Sequence, residues 1–459
     1  MGHSLEFPHY ESNVQSGRHI SDERVTGQLR RRIGIVGLTA YGVGTILGAG
    51  IYALIGQAAA LAGYGLWLSF LLAALVAALT GLSYAELSTT FPRAAAEFEF
   101  VRRAFGSNRL AFLVGWILIL SGTASASTVA LGFSGYLNAL VGLPVPIIAL
   151  SLLLILSAIN VVGIRESTTV NIILTLVEAG GLLLVIVAAA GAGKVAIPAR
   201  PIQSWPGIFE AAAFVFFAYL GFEDIANVAE ETIAPERMIP IAILLSVVLT
   251  AVLYVAVAVA ALALSSPSTL VASSAPLADA LATVWGERGR QVLGVIALFA
   301  TANTVLLILI AGTRMIYGMA RAGVLPTVFG TVLPSTGTPG VAIIFQGLAA
   351  AAFLPVGGIG ALGSLASWAA LTAFISVNAA LLWLRRTQPE LRRPFRVPLS
   401  LGWVSLPALI GLLTALLASL YVTPEIIAVG IVATLIGLPV YEIARRQASE
   451  SEDGRREGC

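Results

Sequence analysis

Twelve stretches of predominantly apolar residues, each long enough to cross a bilayer as an α-helix, follow one another along 459 residues. A hydrocarbon core about 30 Å thick needs about 20 such residues in helical form. The runs lie near 34–61, 66–90, 109–140, 145–163, 168–191 and 207–231, then 239–264, 291–320, 340–356, 361–385, 402–422 and 425–444. Only 11% of the residues are charged and 58% are hydrophobic, whereas soluble domains carry about 25% charged residues. Such a chain has no polar coat for water. Lipid is its natural solvent, and the expectation is an all-α integral membrane protein with 12 transmembrane helices.

The basic residues orient the array. With the N-terminus inside, 22 of the 26 lysines and arginines fall in inner segments, and only Lys194, Arg200, Arg288 and Arg290 fall outside. That asymmetry is the positive-inside pattern. It predicts a multi-pass protein of the cytoplasmic membrane with both termini cytoplasmic. The basic residues sit in short clusters between apolar runs, which gives no footprint for nucleic acid. Residues 1–32 are too long and too acidic for a secretory leader and read as a cytoplasmic tail, as do residues 446–459. The single cysteine, Cys459, excludes a disulfide within the chain. His3, His9 and His19 all precede the first run, so no histidine or cysteine falls in a span. That argues against an intramembrane metal or cysteine enzyme, and no cofactor is implied. A non-transporting sensor would need an output domain, and both tails are short.

Two runs carry glycine or acid where a plain membrane helix would not. The first holds Gly42, Gly44, Gly48 and Gly50; the sixth holds Gly221 followed by Phe222, Glu223 and Asp224. Small residues allow close helix packing. They also allow an unwound segment that offers backbone groups to a ligand. An acidic pair in mid-span is costly unless it faces water, a partner or a helix start, so the sixth run favours a break at Leu220–Gly221. Breaks five helices apart fit a 5+5 inverted repeat, residues 33–200 and 201–400, with two extra helices in 401–445. N–H groups at a half-helix start suit a carboxylate, and free C=O groups at a half-helix end suit an ammonium. A zwitterionic amino acid has both.

The motifs GTILGAGIY (44–52), SYAELSTTFPRA (83–94), FFAYLGFEDIANVAEET (216–232), GTRMIYGMARAGVLP (312–326) and LRRTQPELRRPFRVP (384–398) are spread over most of the chain. With them the chain resembles the amino acid–polyamine–organocation superfamily of permeases, nearest the prokaryotic branch similar to cationic amino acid transporters. The resemblance implies a secondary transporter that moves amino acids by alternating access, proton-coupled or exchanging, with a polyamine or cationic amino acid antiporter as the alternative. It implies substrate contacts at Ile46, Ala49, Gly50 and Ile51 in the first break and at Phe217, Leu220 and Phe222 in the second. Amides of Ala49 to Ile51 would hold the carboxylate, the Ile46 carbonyl the amine, and Phe217 would act as a lid.

Energising groups are the next expectation. Glu223 stands beside the second break, where it can bind a proton, serve an inner gate or cap the half-helix. Glu178 lies in mid-span where some proton-coupled relatives carry a lysine. A buried carboxylate favours its protonated form, so Glu178 is a proton carrier or a permanently paired group. Thr301 and Thr304, with Asn303, match a helix whose hydroxyls bind sodium in sodium-driven relatives, although helical hydroxyls also bond back to the preceding turn. Glu86 reads as structural. The family pattern Pro-Arg-Ala-Gly-Gly-x-Tyr is replaced by Pro92, Arg93, Ala94, Ala95, Ala96, Glu97 and Phe98, and Glu97 and Glu99 add charge at the inner mouth without an assigned role. Side-chain selectivity is expected from Ser121, Thr123, Ser125 and Ser127, and from Ser364, Ser367, Trp368 and Thr372. With no acid on the first-helix face, neutral amino acids are favoured, unless Glu178 or Asp224 reaches the site. The sequence carries no oligomeric signal.

Overall fold

In lipid a backbone must satisfy its own polar groups, and the apolar runs accordingly form helices. The computed structural model describes residues 33–92, 95–162, 168–193, 204–229 and 232–457. The expected N-terminal tail and Cys459 lie outside the described residues. The helices are α1 Ile35–Leu47, α2 Ala49–Ala62, α3 Leu66–Thr90, α4 Ala96–Phe105, α5 Asn108–Val141, α6 Val145–Val162, α7 Thr168–Gly191, α8 Trp205–Val215 and α9 Asp224–Asn227. Then come α10 Pro235–Leu264, α11 Pro267–Ala272, α12 Pro276–Arg321, α13 Gly340–Phe353, α14 Ile359–Thr387, α15 Leu406–Leu420 and α16 Pro424–Glu457. Among the described residues, eight helical stretches are long and apolar enough to cross a membrane, the first of them running from Ile35 to Thr90. Gly340–Val356 and Leu406–Leu420 are shorter apolar stretches.

Helix ends follow local chemistry. Ser107, Ser204 and Ser405 cap α5, α8 and α15 by accepting from the N–H groups of Leu110, Gly207 and Ala408. These hydroxyls satisfy donors that the first turn leaves open. The expected run at 291–320 is the later part of α12, which starts earlier and bends at Gly286 (φ 60°, ψ −152°). Two short helices are additions to the expected set: α4, an amphipathic helix with paired Glu99, Arg102 and Arg103, and α11.

The interior is built around α3 against α10, and α5 against α12 and α14. Tyr52, Tyr84, Tyr136, Tyr219 and Tyr254 are fully buried there. Large apolar side chains instead cover the outer face, for example Val162, Val252, Leu348, Leu420 and Ile436. Leucine and valine turned outward on so many helices suit a hydrocarbon solvent. A hairpin, β1 Ser400–Leu401 with β2 Val404–Ser405, follows α14, its strands antiparallel with Ser400 opposite Ser405.

Candidate functional site

The first run breaks at Gly48, whose φ and ψ (−18°, −151°) separate α1 from α2. No side chain caps α2, so its opening turn has uncapped N–H groups. The sixth run breaks over a longer stretch. After α8 comes a tight 3-10 turn, Phe216–Tyr219, then an extended Leu220 and Gly221 at φ 119°. Only then does α9 begin, with Glu223 as its N-cap residue. The Glu223 Oε2 accepts from the Gly221 N–H at 2.8 Å. A break at Leu220–Gly221 with Glu223 at the new helix start agrees with the sequence reading.

The two breaks touch. The Thr45 hydroxyl donates to the Gly221 carbonyl at 3.1 Å. A methyl group on Gly50 would lie 2.6 Å from the Ala218 Cα, and one on Gly221 would lie 2.7 Å from the Thr45 carbonyl carbon. Gly50 therefore permits a backbone-to-backbone approach that no larger residue allows. At Gly221 the positive φ adds a second reason for glycine.

Between the breaks lies a cavity of about 110 Å³. Its wall includes Thr45, Ile46, Gly48 and Gly50 from the first break, and Phe217, Ala218, Leu220, Gly221, Glu223 and Asp224 from the second. Ser121, Gly122 and Ser125 of α5 and Thr304, Gly312 and Met315 of α12 close the other side. Of the expected substrate contacts, Ile46, Gly50, Phe217 and Leu220 are thus brought together. Ile51 is fully buried, and Phe222 packs its ring against Tyr84 and Phe374; neither is in the cavity wall. Ala49 is the first residue of α2. The Ile46 carbonyl already accepts from the buried Tyr254 hydroxyl at 2.6 Å, which leaves one lone pair for a ligand.

Several expected polar contacts are used by the fold. Ser367 donates to the Phe214 carbonyl and accepts from the Phe217 N–H, so it holds the second break from behind. Ser127 donates to the Ala350 carbonyl. Thr301 and Thr304 both bond back to the preceding turn, at Ala297 and Ala300. The Thr304 hydroxyl also fills the space where a Gly48 side chain would stand. Glu178 is buried away from the cavity wall. Asn303 donates to its Oε1 at 3.2 Å, its Oε2 has no partner, and its backbone carbonyl accepts from Tyr52.

Asp224 does reach the cavity, and it is joined there by Glu97. Glu97 is 1% exposed. The Tyr84 hydroxyl donates to its Oε1 at 3.1 Å, while its Oε2 has no partner. Burial pushes the Glu97 carboxyl up to about 7, bonds from its own backbone oppose this, Asp224 adds to the rise and the Tyr84 hydrogen bond lowers it. Its neighbour Glu99 bonds Arg102 and Arg103 instead. Glu86 is structural, as expected: Arg385 grips both its oxygens, Arg393 approaches at 3.3 Å, and the Val397 N–H donates to it at 2.7 Å. Tyr254 and Tyr84 escape sequence reasoning, because one tyrosine in an apolar run gives no sign of which carbonyl or carboxylate it will meet.

A family model described as amino acid permease matches residues 33–439. The chain is 31% identical to a branched-chain amino acid permease of Bacillus subtilis (strain 168), with 92% of this chain and 94% of that one covered. It is 31% identical to a methylthioribose transporter of the same organism, over 83% and 86% of the two chains. It is 32% identical to the vacuolar cationic amino acid transporter 4 of Arabidopsis thaliana, over 79% of this chain and 64% of that one.

Proposed function

Because the chain belongs to the amino acid permease family, we propose that it carries its amino acid by alternating access, with the substrate held between the breaks of the first and sixth helices. The protein is a multi-pass membrane transporter and not an enzyme. The observation that carries the mechanism is the contact of two interrupted helices around one cavity. Interrupted helices facing each other at the midplane are how transporters present bare backbone to a polar ligand without exposing it to lipid. In this reading the uncapped start of α2 takes the carboxylate, the remaining lone pair of Ile46 helps hold the amine, and Phe217 covers the substrate. Twelve crossings in a 5+5 inverted repeat plus two, with both termini on the cytoplasmic side, complete the proposal. The helices of the first, second, sixth and seventh runs rock against the rest. A ligand drives that motion only through its different affinity for the two states.

Coupling is assigned to protons. Glu178, with one oxygen unpartnered, and Glu223, at the second break, are the proposed carriers. Sodium at Thr301 and Thr304 is less well supported, because both hydroxyls bond within their own helix. A second substrate reading has its own observation: Asp224, Glu223 and Glu97 share the cavity wall, which suits a cationic side chain better than a neutral one.

The experiment is thermal stabilisation of the purified protein against the standard amino acids, methylthioribose, agmatine and putrescine, followed by counterflow of each hit in proteoliposomes. A ligand that binds only the folded state raises its apparent stability with concentration. Stabilisation and counterflow by leucine or valine support the neutral reading. Arginine, lysine or agmatine instead would support the cationic one. Methylthioribose alone, with no amino acid active, would refute both.

A further inference from the structure

Glu97 joins two bodies that the proposed motion separates. It sits on α4, which packs on α5 and α14. Its side chain accepts from Tyr84, which sits on α3, the second-run helix. The other acids of the cavity wall, Glu223 and Asp224, belong to the second break. Its free Oε2 is buried, and a buried acceptor without a partner is costly. A proton on Oε2 removes the charge and turns that oxygen into a donor in a wall that already holds two other carboxylates.

We propose that Glu97 is a proton-binding gate group that holds α4 against the second break when protonated and lets it part from that break when ionised. In the clamped state Oε2 carries one proton taken from cavity water, while Oε1 still accepts from Tyr84. On release the proton returns to water, and a carboxylate is left in the wall that Asp224 shares. Like charges in one poorly hydrated site repel, which pushes α4 away from the break and opens the inner face. The rise of its carboxyl to about 7 puts this exchange in the physiological range.

The surrounding groups fit that assignment. From α3 the facing group is Tyr84, and from the second break Asp224 and Glu223. On α4 itself, Glu99 is taken by Arg102 and Arg103. From α14, Arg385 is held by Glu86 of α3. From α5 the wall presents Ser121, Gly122 and Ser125, and from α12 Met315, with Arg314 on the exposed side. Among the described residues that line the cavity there is no lysine or arginine.

The proposal rests on alternating access, but its test uses no substrate. Met315, in the same wall, is replaced by cysteine, and its labelling by an impermeant maleimide is followed in inside-out vesicles. The native Cys459 in the same chain serves as the reference for reagent dose. We expect the ratio of Met315→Cys to Cys459 labelling to rise several-fold as pH passes through about 7. Glu97→Gln should hold the ratio low and flat, while Glu97→Asp and Glu99→Gln keep the rise. If Glu97→Gln does not fold, Tyr84→Phe decides: loss of a bond that favours the ionised form should move the midpoint to higher pH. A flat ratio in the parent, an unchanged rise in Glu97→Gln or an unmoved midpoint in Tyr84→Phe would overturn the proposal. An inactive ligand panel would leave this result standing, and a flat ratio would leave the substrate assignment standing.

Discussion

One methyl group tests whether the two breaks must touch. In Gly50→Ala the new carbon meets the Ala218 backbone, and in Gly221→Ala it meets the Thr45 backbone at a φ of 119°. Backbone cannot swing aside as a flexible side chain can. Overpacking of this kind costs about 1–3 kcal/mol, and a strained φ adds about 1–3 kcal/mol. Both variants should melt lower in detergent and lose counterflow, Gly221→Ala more severely. Gly180, in α7, has nothing within 4 Å of its added carbon, so Gly180→Ala should leave stability unchanged or raise it by up to about 1 kcal/mol. Equal effects at all three positions would mean that the contact between breaks is incidental. Glu97 gives a second test at this scale, with a definite sign. Its carboxyl titrates at about 7 when folded and near 4.5 when not. Below the unfolded value both states hold the proton, and the group costs nothing by this route. As pH rises from about 4.5 to 7 the unfolded chain loses its proton first, so folding is penalised progressively, by about 3 kcal/mol at the top of the window. Glu97→Gln should therefore melt higher than the parent near pH 7 and converge with it near pH 4.5.

The inner loop after α14 shows how a charged motif becomes a tertiary clamp. Arg385 lies in the last turn of its helix, Arg393 and Val397 follow in the loop, and all three converge on Glu86 near the inner end of α3. Arg385 also donates to Ser400 of β1 at 2.7 Å. With Glu86 and Arg385 almost fully buried, removal of one partner leaves an uncompensated charge and costs about 3–5 kcal/mol. Glu86→Ala and Arg385→Ala should each lower the melting temperature strongly, and the double variant should lose much less than the sum of the two. Additive losses would show that the pair does not act as a unit. From the sequence, the motif is visible as a cluster of arginines and Glu86 as an acid in an apolar run, but only the return of the chain reveals that they meet. The breaks are more legible, because glycine clustering and a mid-span acid pair have few other physical explanations. Helix α4 is hidden for the opposite reason: ten mixed residues between two apolar runs look like a loop, and its amphipathic face has meaning only once α5, α14 and Tyr84 are in place. The same blindness applies to Ser367, legible as a polar residue on a helix but not as the support of Phe214 and Phe217.

At the scale of the whole molecule, charge and geometry sort the two faces together. The Glu86 cluster joins the late ends of α3 and α14, and Arg109, at the start of α5, pairs with Glu442, near residues 445–446 of α16. These are the segments that the arginine distribution assigns to the cytoplasm. The pair Arg290–Asp279 lies in the early part of α12, in a segment assigned to the outside. Five of the apolar runs separate Ser268 in α11 from Cys459. An odd number of crossings must put those two positions on opposite sides. An impermeant maleimide on intact cells should therefore label Ser268→Cys, built in a Cys459→Ser background, and leave the native Cys459 untouched; inside-out vesicles should reverse the result. Both sites labelled from one side would mean that a run fails to cross, and the shorter helices α13 and α15 would be the first to suspect. Labelling of Cys459 from outside, with Ser268→Cys protected, would keep the count but invert the molecule. It would then turn Glu97 and the Glu86 cluster to the external face, so that the gate assigned to Glu97 would answer to external pH.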